Sequence, residues 1–99
     1  MTCVTEDLVA RCVAGDLEDE ERRLVQLRLA VSRAVRYQRK KHGVTQKQLA
    51  NKLKSSQSRV AKIEAAAGDI SLDLSIRALF AAGGGMRDLV REVRAIGRR

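Results

Sequence analysis

The 99-residue sequence has no proline and no tryptophan, and Tyr37 and Phe80 are its two aromatic residues. Leu, Val, Ala and Ile therefore carry the apolar content, a composition that favours helices over a β-rich fold. Cysteine is limited to Cys3 and Cys12, and histidine to His42. Such a set cannot supply a disulfide framework or a four-ligand zinc site, so no metal or other cofactor is expected. No carboxylate pair, Ser/His/Asp set or glycine-rich phosphate loop stands out, which argues against an enzyme. No apolar run approaches the ~20 residues of a membrane-spanning helix, and the first residues lack the basic stretch and apolar core of an export signal. A cytoplasmic protein without a membrane partner is the expectation.

What is present is charge, unevenly placed. Residues 1–21 hold seven acids and one arginine, whereas residues 22–99 hold nineteen bases and five acids. Residues 22–62 contain thirteen Lys or Arg and no Asp or Glu. That density creates a positive field over one part of the molecule and points to a polyanionic partner. Nucleic acid stands ahead of membrane, because no aromatic-rich basic amphipathic helix accompanies the charge.

The apolar residues recur at helical spacing along the chain. Thr5 caps an expected short helix over residues 6–14, with Leu8, Val9, Cys12 and Val13 on one face. Asp16 is the expected cap of a long second helix whose apolar positions Leu24, Leu27, Val31, Ala34 and Val35 repeat every three or four residues, closed by a basic end and by Gly43. Thr45 and Gln48 form a capping-box pattern ahead of a stripe of Leu49, Ala50 and Leu53. Ser55 and Ser56 supply turn and cap chemistry for a helix with Val60 and Ile63 inward and Gln57, Ser58, Arg59 and Lys62 outward. Ser71 caps a further helix expected to bury Leu72, Ile76, Leu79 and Phe80, and Gly83-Gly84-Gly85 is expected to act as a flexible joint. A last helix, about residues 86–96, has Met86, Leu89, Val90, Val93 and Ile96 on one side and Arg87, Arg91 and Arg94 on the other.

Two short helices joined by a tight turn let the second project into the major groove while the first braces it. The stretches Gly43-Val44-Thr45-Gln46-Lys47-Gln48-Leu49-Ala50, Ser56-Gln57-Ser58-Arg59-Val60-Ala61-Lys62-Ile63-Glu64 and Ser71-Leu72-Asp73 stand at the distances that arrangement needs. Together they resemble the Xre family of helix-turn-helix proteins related to phage Cro and repressor, over about Leu27 to Gly83. The resemblance implies an all-α fold: a five-helix repressor-like domain, here with an extra short N-terminal helix. The expected division is an acidic extension over 1–22, the helix-turn-helix domain over 23–83, and a C-terminal helix over 84–99 as one of two candidate dimerisation surfaces, the N-terminal stripe of Leu8, Val9, Cys12 and Val13 being the other.

The resemblance also implies roles for individual residues. Gln57, Ser58, Arg59 and Lys62 match base-contacting positions, where a glutamine amide pairs with adenine and a basic side chain reaches guanine or a phosphate. Gln46 matches a phosphate contact, joined on this face by Lys47, Lys54 and Ser56. Arg39 and Glu64 match a structural ion pair. Three departures from the family pattern bear on geometry. Lys54 occupies the turn position usually held by glycine, and Ser55 a usually apolar one. Ala65-Ala66-Ala67 replaces an expected glycine and is read as prolonging the helix by a turn. Gln38 stands where an aliphatic residue is common, with Tyr37 expected to fill that space.

The function implied is sequence-specific regulation of transcription, most simply repression, by a bacterial or phage protein that joins the nucleoid when bound. Its partner is a palindromic double-stranded operator, read by a homodimer because one recognition helix spans few base pairs. A second reading is an antitoxin of a type II toxin-antitoxin pair, which neutralises a protein toxin and represses its own operon. In that reading Asp16 to Glu21 engage a basic toxin, although such carboxylates also complement a helix N-terminus.

Overall fold

The computed structural model describes residues 19–97, and among them five α-helices follow one another without a strand. They are α1 (Asp19–Lys41), α2 (Gln46–Leu53), α3 (Gln57–Glu64), α4 (Leu72–Ala81) and α5 (Met86–Gly97). The all-α expectation is met. The short helix expected over residues 6–14, with Cys12 in its stripe, and the cap at Asp16 lie outside the described residues.

Helix α1 starts with Asp19, Glu20 and Glu21 and ends with Arg39, Lys40 and Lys41, so both ends match the helix dipole. It is the spine of the molecule: α3, α4 and α5 all pack on it, while α2 packs on α3 and α4. The core gathers Val31, Ala34 and Val35 from α1, Leu49 and Ala50 from α2, Val60 and Ile63 from α3, and Ala78 and Leu79 from α4, with Ile70 between helices. Small residues at Ala34, Ala50 and Ala78 let the helix axes approach closely, and the branched aliphatics fill the space between them.

Side-chain caps start the three middle helices. Thr45 Oγ1 accepts from the Gln48 amide at 3.0 Å while Gln48 Oε1 accepts from the Thr45 amide at 2.8 Å, completing the capping box. Ser56 and Ser71 accept in the same way from the amides of Arg59 and Leu74. The helix ends share a single device. In each of α1 to α4 the chain leaves through one residue at positive φ, namely Gly43, Lys54, Ala66 and Gly83. The following amide then bonds back five residues, from Val44 to Arg39, Ser55 to Ala50, Ala67 to Lys62, and Gly84 to Leu79. These are Schellman closures, in which a left-handed residue turns the chain and satisfies the last carbonyls.

Four expectations from the sequence are corrected by this geometry. The alanine run does not prolong α3: Glu64 is its last residue, and Ala66 sits at φ 57 as the reversal point. Tyr37 does not fill the space beside Gln38; it is exposed, whereas Gln38 is buried and its Nε2 donates to Asp88 Oδ1 at 2.7 Å. Phe80 is exposed rather than inward, and Ser75 and Ala78 take buried places on α4 instead. The glycine triplet is a packed turn, not a loose joint. A Cβ on Gly83 would stand 2.8 Å from His42 Cε1, and one on Gly84 would stand 2.4 Å from Leu79 Cδ1 and 2.9 Å from Gln38 Cγ. Asp88 secures the turn from the other side, with Oδ2 accepting the Gly85 amide at 2.8 Å. One carboxylate thus caps α5 and fastens it to α1.

Candidate nucleic-acid interface

Helix α3 divides its eight residues cleanly. Val60, Ile63 and Glu64 are buried, while Gln57, Ser58, Arg59, Ala61 and Lys62 are exposed. Its first turn needs no help from those exposed side chains, since Ser56 already caps it. Among the described residues, Gln57, Ser58 and Arg59 carry no side-chain hydrogen bond or ion pair. Three polar side chains therefore stand at the projecting start of a helix with donors and acceptors free, where a second short helix can meet base edges.

Lys62 lies one turn further on but is engaged. Its Nζ contacts Asp69 Oδ2 at 2.9 Å, both side chains being largely exposed. The hydrogen bond from Lys62 holds the Asp69 carboxyl below its ordinary range. Ser58, Arg59 and Lys62 line a shallow open cavity with Ser56, Asp69 and Ser71, so the basic side of α3 faces the capped start of α4. Asp69 has no signal in the sequence, because its approach depends on the reversal at Ala66. Ala61 was also unassigned; it occupies the exposed stripe one turn after Gln57, and only the i, i+4 spacing marks it.

The bracing helix α2 meets α3 through a turn built on Lys54. This residue takes the left-handed conformation, φ 54 and ψ 47, that the family pattern reserves for glycine, and its side chain is exposed. The neighbouring Ser55 hydroxyl is buried with no hydrogen-bond partner among the described residues. At the other end of α2, the capping box occupies the amides of Thr45 and Gln48. The amides of Gln46 and Lys47 have no helical carbonyl to bond, which leaves donors for an anion at that terminus.

A buried ion pair holds these parts together. Arg39 Nε and Nη2 donate to the two carboxylate oxygens of Glu64 at 2.5 and 2.9 Å, and Arg39 Nη1 donates to the Val44 carbonyl at 3.0 Å. The pair is bidentate, with the two side chains only 13% and 6% exposed. The hydrogen bond to Glu64 raises the Arg39 pKa against the opposing effect of burial. Gln46 Nε2 donates to Glu64 Oε1 at 3.3 Å, and Arg36 Nη2 to the Glu64 carbonyl at 2.9 Å. The end of α1, the start of α2 and the end of α3 are thus locked to one carboxylate, which fixes the angle at which α3 projects. The contact of the Gln46 amide group with Glu64 has no signal in the sequence, because it joins residues eighteen positions apart.

Residues 35–79 match the family model described as helix-turn-helix, a span that includes α2, α3 and the loops around them. Comparison with curated proteins and with solved structures gives no match.

Proposed function

We propose that this chain, whose residues 35–79 match the helix-turn-helix family model, is a DNA-binding regulator of the Xre family that recognises a specific double-stranded operator as a homodimer and represses transcription from it. The observation that carries this reading is the start of α3, where exposed Gln57, Ser58 and Arg59 have no side-chain partner among the described residues. The buried Arg39–Glu64 pair, which ties the end of α3 to α1, supports this reading by fixing the direction in which that face is presented.

In the bound state α3 enters the major groove. Gln57 offers an amide that matches the N6 and N7 edge of adenine, and Arg59 offers a guanidinium that matches O6 and N7 of guanine. Ser58 adds a short donor and acceptor, and Ala61 presents a methyl group suited to the thymine methyl. Lys62 exchanges Asp69 for a base edge or a phosphate. Gln46 and the free amides at the α2 terminus grip a phosphate, with Lys47, Lys54 and Ser56 beside it; these contacts set register without reading sequence. Two copies on half-sites about one helical turn apart supply the length of operator that one α3 cannot read. The protein acts in the cytoplasm, at the nucleoid.

The antitoxin reading has no observation of its own. Asp19 in the first turn of α1 pairs with Arg22 and Arg23 at 3.7 Å, an ordinary use of acids at a helix start. Selection of duplexes from a random pool by the full chain tests the proposal. A recurring half-site in inverted repeat, bound by two chains, is the expected result; recovery of duplexes with no shared sequence would refute base reading by α3.

A further inference from the structure

Helix α5 carries a second basic surface, on a helix whose main packing partner is α1 rather than the bracing or reading helix. Its outer face is formed by Met86, Arg87, Val90, Arg91, Arg94 and Ala95. Met86 is 67% and Val90 45% exposed, large values for apolar side chains that share one helix face. Arg87 and Arg94 have no ion pair among the described residues. Arg91 reaches Asp88 at 3.3 Å and lies 4.8 Å from the centre of the Tyr37 ring. The face therefore combines apolar side chains with three arginines.

This composition weighs against self-pairing, although the sequence alone offers α5 as a dimerisation element. A symmetric α5–α5 contact would set arginines against their own copies around the apolar centre, and like charges at close range oppose association. The fitting occupant is acidic and apolar, and the sequence contains one. Residues 1–18 hold Glu6, Asp7, Asp16 and Glu18 against a single Arg11, with Leu8, Val9, Cys12 and Val13 at helical spacing. The segment is joined directly to α1, beside which α5 begins through the Gln38–Asp88 contact. Reach is not limiting: 18 residues extend to about 60 Å, against about 35 Å for the full length of α1.

We infer that residues 1–18 dock in cis on the Met86–Ala95 face of α5, their apolar stripe against Met86 and Val90 and their carboxylates against Arg87, Arg91 and Arg94. The docked segment neutralises a polybasic face that would otherwise attract duplexes without regard to sequence, and so confines DNA binding to α3.

A spin label on Cys3 of the full chain, with Cys12→Ala to leave one thiol, tests this by broadening of backbone amide signals. At low salt the amides of residues 86–95 lose at least about half their intensity while those of residues 46–64 keep theirs, because docking is a populated state rather than an average over the surface. The triple variant Arg87→Glu, Arg91→Glu, Arg94→Glu restores the α5 signals, as does high salt on the unaltered sequence, so the test stands even if that variant folds poorly. Unbroadened α5 amides would overturn the proposal and leave the face open to a polyanion. Equal broadening in a mixture of spin-labelled chains with isotope-labelled chains would overturn it in favour of a second copy. Broadening that survives both charge reversal and salt would also contradict it.

Discussion

Single residues set both the direction of α3 and the engagement of its exposed side chains. Lys54 and Ala66 are the strained positions, holding φ 54 and φ 57 with side chains where the helices α1 and α4 use glycine. The left-handed conformation costs an L-residue about 1–2 kcal/mol, partly offset by the greater freedom glycine has in the unfolded chain. Lys54→Gly, at an exposed side chain with φ 54, should therefore raise stability by about 0.5–1 kcal/mol in urea unfolding with the m-value unchanged, whereas Ala66→Gly also removes a buried methyl and should change it little. Glu64 is the opposite case. Glu64→Ala leaves the Arg39 guanidinium in its enclosed place without a counter-charge, and unfolding stability should fall by about 2–3 kcal/mol, under the cost of breaking a fully enclosed pair. Because the Arg39 pKa is raised, its share of that stability is present at all pH below the arginine range and is lost only as pH rises through it. Asp69 has the reverse sign: its pKa is lowered, so its pair with Lys62 is complete at neutral pH and is lost only as pH falls through the folded value. Asp69→Asn should mimic that loss and raise affinity for any duplex about two- to fivefold at low salt, since it frees Lys62 and removes a negative charge from the face. Measured in a fluorescence anisotropy titration, an unchanged affinity would mean that Lys62 does not face the DNA.

At the scale of helices, the recurrent Schellman closures explain why three short helices hold fixed directions in a chain without proline. The turn after α4 is the most demanding of them, since Gly84 lies against both Leu79 and Gln38. Gly84→Ala should destabilise the protein by about 1–3 kcal/mol, as expected when an extra methyl is forced into a packed site. Thermal unfolding followed by circular dichroism checks it, and a neutral result would show the turn to be pliable. The same elements show what the sequence could reveal. The caps at Thr45, Ser56 and Ser71, the inward stripe of Leu49, Ala50, Val60 and Ile63, and the exposure of Gln57 to Arg59 all follow from local spacing. What escaped was non-local: Gln38 meets Asp88 fifty residues on, and Gln46 and Arg36 converge on Glu64. Phe80 misled because hydrophobicity alone placed it inward, whereas small Ser75 and Ala78 form the contact that brings α4 close to the core. The alanine run misled because high helix propensity gave way to a closure that Lys62, Ile63, Ala66 and Ala67 make together.

The whole molecule carries two basic surfaces, one on α2 and α3, which we propose reads a duplex, and one on α5, which we propose takes residues 1–18. On the proposed reading most sequence discrimination resides in the first turn of α3, with Lys47 and Lys54 contributing affinity alone. The direct measurement is the ratio of dissociation constants for a selected operator and a random duplex, at one fixed salt concentration, in the unaltered protein and in the Gln57→Ala, Arg59→Ala double variant. Each lost base contact removes about 1–3 kcal/mol of discrimination, so the ratio should collapse by at least about thirtyfold, toward unity, while the random duplex weakens far less. A ratio that stays within about twofold of the original, in a variant that still folds, would contradict the claim and place base reading elsewhere.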